Sequence, residues 1–187
     1  MTGSDYLNNH FLIAMPSLED PNFYHSVTYI CEHNEEGAMG IVINRPLDIN
    51  LGEVLNHMDI ERKKGVDTSG LIYLGGPVQP ERGFVLHEPL GKWDSMLAVT
   101  SDIGVTTSRD ILMAMNDGDG PTRALVALGY AGWGAGQLEQ EMVDNAWLSV
   151  PADSAVIFDT PIEQRWQAAA APLGIDLNTL SDDIGHA

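Results

Sequence analysis

The chain has 187 residues, 44% of them hydrophobic and 19% charged, a composition that suits one folded domain able to bury about 70% of the surface its unfolded chain exposes. Nine basic against 27 acidic residues give a net charge of -18, and such a surface repels polyanions, so direct nucleic-acid binding is not expected. A single cysteine, Cys31, excludes an intramolecular disulfide.

In chain order, residues 11–14 read as a strand, followed by a loop through Pro16 and Pro21. Residues 27–33 and 39–44 are rich in β-branched and aromatic side chains and form the arms of a hairpin, with Gly37 at the end of its connector. Leu51, Val54, Leu55 and Met58 recur at helical spacing, which predicts a short amphipathic helix over 51–58. A strand at 71–74 breaks at "GGPVQPERG", where glycines and prolines oppose regular pairing, and resumes over 83–87. A further strand is expected at 96–100, then a helix N-capped by Thr107 and running to Met115.

The nearly continuous apolar run 122–130 predicts a strand buried on both faces. It leads into "LGYAGWGAGQLEQE", with four glycines in the eight residues from Gly129 to Gly136, and then a helix over 138–145. Residues 147–150 and 156–158 read as short strands. The last helix carries Thr160 as N-cap, Pro161 at its first position and Glu163 to close a capping box, and it ends at Gly174. Irregular alternation of strands and helices predicts a mixed α+β sheet, with residues 1–187 as one domain.

The blocks "HFLIAMPSLEDPNFYHSVTYICEHNEEGAMGIVINRP", "GGPVQPERGFVLH", "TTSRDIL", "LGYAGWGAGQLEQE" and "NAWL" together resemble the AlgH/YqgE family of small bacterial proteins. The resemblance implies a compact α+β fold whose sheets curl toward a barrel. The label "transcriptional regulator" attached to some members implies a role in gene regulation. It brings no catalytic residues to carry over, since fold transfers between relatives more readily than function.

The glycine-rich segment fits no phosphate-binding fingerprint. Gln137 stands where a dinucleotide motif needs its third glycine, and Ala135-Gly136 where a P-loop needs Lys-Ser/Thr. Glu139 and Glu141 in the following first turn would repel a phosphate. The structural reading is a packed turn that lies beside the loop from Gly75 to Gly83, with glycines 132, 134 and 136 letting backbone pass closely around Trp133. The competing reading is a ligand loop.

Arg82 and His87 supply a guanidinium and an imidazole flanking one predicted strand, but five residues apart they point to opposite faces. Cys31 and His33, two apart, share a face, yet the other histidines show no zinc spacing. "NDGDG" lacks the glutamate that closes a calcium loop, and no nucleophile elbow or zinc-protease helix is present. No metal and no cofactor are therefore expected.

With no lysine or arginine before Arg45 and no apolar run of about 20 residues, neither an export signal nor a membrane span is expected. A cytoplasmic location follows. The leading expectation is a non-enzymatic protein that works through protein contacts, with indirect transcriptional regulation as the role. The alternative is a small-molecule-binding protein or enzyme using the loops from Gly75 to Gly83 and from Gly129 to Gln137, with Arg82, His87, Trp133 and Gln137 as candidate ligand-binding residues.

Overall fold

The apolar run that begins near Arg123 becomes the axis of the molecule. In the computed structural model, which describes residues 6–16, 20 and 23–174, it forms one strand, Arg123–Gly134. Before it in the chain come β1 (His10–Ala14), β2 (Val27–Asn34), β3 (Gly37–Val42), β4 (Pro46–Asn50) and β5 (Leu71–Leu74). These are followed by β6 (Val78–Glu88), β7 (Met96–Ala98) and β8 (Gly104–Thr106), so that the axis is β9, and β10 (Trp147–Pro151) comes last. The helices are α1 (Leu51–His57), α2 (Arg109–Asn116), α3 (Gln137–Val143), α4 (Ser154–Phe158) and α5 (Arg165–Ala170).

The spatial order is β10-β1-β2-β3-β9-β6-β8-β7, with β5 alongside β9 and β4 on β5. Among the described residues, all pairs are antiparallel except β5 with β9. Residues Val126 to Leu128 of β9 pair with β5 on one edge and β6 on the other. Further along, Ala131 to Gly134 pair with β3. One long strand thus belongs to two sets of partners in succession, and the sheet curls into a half-barrel. The α+β domain predicted from the sequence is the one observed.

Because β5 and β6 flank β9 on opposite edges, the three residues between them must pass across β9. Gly75 and Gly76 make that passage. A Cβ on Gly76 would strike the backbone of Tyr130 and Ala131, and one on Gly75 the carbonyl of Gly129. Gly129 itself has φ +78 and lies against the Gly76 carbonyl. Here glycine is required for space as well as for conformation.

Three apolar clusters fill the fold. The largest includes Phe11, Tyr29, Ile41, Leu86, Ile157 and Trp166, buried where α4 and α5 cover the sheet. A second joins Leu55 of α1 and Ile111 of α2 to Ile72, Val85 and Val126. The third holds Trp133, Leu138 and Trp147 around α3. Arg165 is buried with its guanidinium 5.3 Å from the Tyr73 ring centroid and bonds to the carbonyls of Thr160 and Ile43.

Several boundaries differ from expectation for identifiable reasons. Residues 156–158 are helical, not a strand: Asp153 caps the turn by accepting from the Ala155 N–H, and Val156 and Ile157 face the core. Ser108 rather than Thr107 precedes α2, and its hydroxyl donates to Asp110 instead of capping the backbone. The Thr160 capping box does not form, because the Thr160 hydroxyl donates back to the Ala155 carbonyl. The segment after Pro161 is instead a 3₁₀ turn, α5 and a second 3₁₀ turn ending at Gly174, φ +70. The "GGPVQPERG" stretch is a strand from Val78 on, since β6 begins there, and its register shifts between Val78 and Gly83. The glycine-rich segment is mostly strand, since β9 continues to Gly134.

Candidate functional site

The register shift in β6, the β2–β3 turn and the second half of β9 surround a cleft of about 560 Å³. Phe84 and Tyr130 meet edge to face in it, with centroids 5.5 Å apart. The Arg82 guanidinium lies 5.6 Å from the Phe84 ring centroid, within the range of a cation–π contact. It also donates to Gln79 Oε1 at 3.5 Å and Thr107 Oγ1 at 3.4 Å. Glu32 and Glu36 of the hairpin also line the cleft. Among the four candidate residues, Arg82 and Trp133 line it.

Trp133 is buried, and its indole N–H donates to Glu141 Oε1 at 2.9 Å. Trp147 donates to the same oxygen at 2.9 Å, while Gln137 donates to Glu141 Oε2 at 3.0 Å. Gln137 Oε1 in turn accepts the Gly134 N–H at 3.0 Å. One carboxylate therefore anchors two indoles and the turn between β9 and α3. The Trp133 and Trp147 rings pack edge to face at 6.0 Å, and Phe23 adds a third ring. Gln137 is thus engaged inside this network.

His87 is fully buried, and both nitrogens are engaged, Nε2 with Thr106 Oγ1 at 2.7 Å and Nδ1 with the Pro89 carbonyl at 3.0 Å. Burial holds its pKa below the usual imidazole value, the Pro89 bond opposing only in part. His87 and exposed Arg82 are not brought together.

The face expected to be shared by Cys31 and His33 does not exist. A bulge between Ile30 and Glu32 shifts the β2–β3 register and reverses the alternation, so Cys31 joins the largest core while His33 pairs with Ala38 beside the third cluster. The Cys31 thiol is buried, which pushes its pKa far up and keeps it protonated. His33 Nδ1 accepts the Leu7 N–H at 3.0 Å, which puts the ring proton on Nε2, 3.3 Å from Glu139 Oε2. Among the described residues, no three His, Cys, Asp or Glu side chains are placed to hold a metal ion, and no helix is long and apolar enough to cross a membrane.

A model of the AlgH-like family, DUF179, matches residues 11–178. The chain belongs to this family. A UPF0301 protein of Thioalkalivibrio sulfidiphilus is 63% identical over the full length of both chains, and one of Nitrosococcus oceani is 58% identical over 97% of each. The solution structure of AlgH from Pseudomonas aeruginosa superposes with a TM-score of 0.81 at 50% identity, covering 97% of this chain and 96% of that one. A Corynebacterium diphtheriae protein shares the fold at 21% identity, with a TM-score of 0.74 over 94% of this AlgH-like chain and 91% of its own.

Sequence reasoning pointed to the two glycine-rich segments and missed what stands opposite them. Glu32 and Glu36 share the cleft with Tyr130 because β3 pairs with β9, Gly37 opposite Gly134. Glu141, which in the sequence is a charge that would repel a phosphate, accepts from two indole N–H groups. No signal in the local sequence announces either role.

Proposed function

We propose that this AlgH-like protein is a non-enzymatic cytoplasmic binding protein that works through a protein partner, and that the cleft beside the β2–β3 hairpin receives a basic segment of that partner. The observation that carries the reading is the pairing of a carboxylate rim, Glu32 and Glu36, with the aromatic floor of Phe84 and Tyr130, in a chain of net charge -18. Such a field draws in cations and steers their approach. Cys31 and His87, a thiol and an imidazole, are buried in the core. A regulatory role passing through this partner agrees with the repulsion of nucleic acid by the acidic surface.

The test is an NMR titration of the whole chain with a lysine-rich peptide and a glutamate-rich peptide of equal length. Saturable shifts at Glu32, Glu36 and Tyr130 with the lysine peptide alone, abolished in the Glu32→Lys/Glu36→Lys double variant, support the reading. Equal response to both peptides, or shifts elsewhere, sink it.

A second reading has its own support: both glycine-rich segments contribute to the same cleft, through Val78 and Gln79 on one side and Tyr130 and Gly132 on the other. On that reading the occupant is a small molecule. A metabolite at 100 times its dissociation constant would add about 2.7 kcal/mol to stability, which a thermal-shift screen detects.

A further inference from the structure

Alternate residues of β6 serve two clefts. Arg82 and Phe84 line the hairpin cleft, whereas Glu81, Gly83 and Val85 line a second one of about 720 Å³, as the two faces of a strand allow. The floor of the second cleft follows from register. Val85 pairs with Thr106 on one side and Val126 on the other, and Gly83 pairs with Leu128, and residues paired directly share a face. To this floor α1 adds Val54 and Met58, and α2 adds Leu112. Clefts of roughly 300–1,000 Å³ with mainly apolar linings are the usual sites for small molecules.

At Gly83 the floor lacks a side chain. A Cβ there would meet nothing within 4 Å, and Gly83 has no positive φ. A glycine inside a strand leaves room for another backbone or for a ligand, and here no backbone is near. The crossing glycines differ, because the space a Cβ would take at Gly75 and Gly76 is already filled by protein.

The lining indicates the size and polarity of the occupant. Val85 is 2% exposed, Val126 5% and Thr106 0%, whereas a groove open enough to seat a helix, about 10 Å across, would leave such a floor accessible. The occupant is therefore slender. The Thr106 hydroxyl is engaged with His87 Nε2 at 2.7 Å, and the buried polar atoms left without partners, on Ser26, Thr28, His33 and Trp93, do not line this cleft. Its charged residues, Glu53, Glu81 and Arg109 among them, are exposed and of both signs, so they select no charge. A charge carried down to the floor would lose its water without gaining a partner. Among the described residues no phenylalanine, tyrosine or tryptophan lines the cleft, so nothing offers a planar ring a stacking face, while Met58 can adapt to a flexible chain. We propose that this cleft binds an uncharged aliphatic compound, its hydrocarbon lying on Gly83, Val85, Val126 and Leu128.

The experiment is an NMR titration of the methyl groups of the whole chain with 1-hexanol, 1-octanol and 1-decanol, and with decanoate and decylamine. The alcohols should bind saturably, shifting Val54, Leu112 and Leu128, with affinity rising about fourfold per added methylene. Decanoate and decylamine should each bind at least about tenfold more weakly than decanol. Gly83→Leu places a side chain in the open space and should abolish decanol binding without lowering the melting temperature. If Gly83→Leu does not fold, Val54→Gln on half-buried α1 decides, and it should weaken decanol about threefold or more. Absent binding, a charged analogue that binds as tightly as decanol, indifference to these substitutions, or shifts confined to Phe84 and Tyr130 overturn the proposal. So does a leucine-rich amphipathic peptide that moves the same methyl signals where decanol does not. The peptide titration at Glu32 and Glu36 reads the other cleft, so either assignment can fail alone.

Discussion

The two ends of the "LGYAGWGAG" stretch use glycine for opposite reasons. At the crossing, Gly75, Gly76 and Gly129 stand where a Cβ would meet backbone on another segment. At the far end, a Cβ on Gly136 would meet nothing within 4 Å, and one on Gly134 would come no closer than 3.9 Å to Gln137 Oε1. The crossing is a packing constraint and the turn is a conformational one. Glycine density in a sequence therefore does not locate the pressed backbone; which strands pair with which decides it.

The comparison is broken most directly at the crossing. In Gly76→Ala the new methyl group enters the Tyr130 carbonyl from a position with φ +158, so β5 and β6 cannot both keep their pairing with β9. We expect a loss above about 4 kcal/mol, or failure to fold, in denaturant titration. A midpoint near wild type would mean that the crossing is looser than drawn. Next comes the residue that the glycines of the far end flank. Trp133→Ala should cost about 3 kcal/mol, a core-type cavity, because the ring packs on Trp147 and Phe23. Trp133→Phe keeps most of that packing and loses the bond to Glu141, which should cost about 1 kcal/mol.

These two substitutions also show what could be read in advance. Periodicity and β-branched runs located β1, the hairpin, α1, β5 and most of β9, because each carries its signal within about ten residues. The adjacency of the two glycine-rich segments was expected as well, and Val78 pairs with Tyr130. The wrong glycines were assigned to the close approach, however, since 132, 134 and 136 were named and 75, 76 and 129 make it. Nothing local distinguishes them: the requirement arises only when β5 and β6 take opposite edges of β9. β4 and β8 escaped notice for the same reason. Pro46–Asn50 and Gly104–Thr106 are short, and their partners, not their composition, make them strands. The candidate site was legible by halves, in Arg82 and Trp133 but not in Glu32 or Glu36.

Acid offers a perturbation that touches neither group of glycines. His87 has a pKa lowered by burial, and His25 is lowered by burial and then by Arg45, from an ordinary value of 6.5. Below pH 6.5 the unfolded chain therefore binds more protons at these two positions than the folded chain does. Stability from this source is complete above pH 6.5 and declines as pH falls from there toward the depressed folded values. The slope reaches at most about 1.4 kcal/mol per pH unit for each such histidine. Urea midpoints at a series of pH values between 7.5 and 5 should show this decline, and His87→Gln should flatten it. The decline should have the same size in a Gly134→Ala background; a different size would mean that the far turn is coupled to the core around His87.

The smallest effects belong to the far turn, and their order is the sharpest test of the comparison. Gly136 has φ +75, so Gly136→Ala meets no atom but places a Cβ in the left-handed region, at a cost of about 1 kcal/mol. Gly134 has neither burden. It ends β9 opposite Gly37, is exposed, and has no positive φ, while its N–H bond to Gln137 uses a backbone group that alanine keeps. Gly134→Ala removes chain entropy from the unfolded state and adds a side chain that a strand end tolerates. The net change should lie within about 0.5 kcal/mol of zero, with the Trp133 fluorescence and denaturant slope unaltered. If Gly134→Ala instead costs as much as Trp133→Ala, the turn is pressed against something, and the division between a packed crossing and an open turn fails.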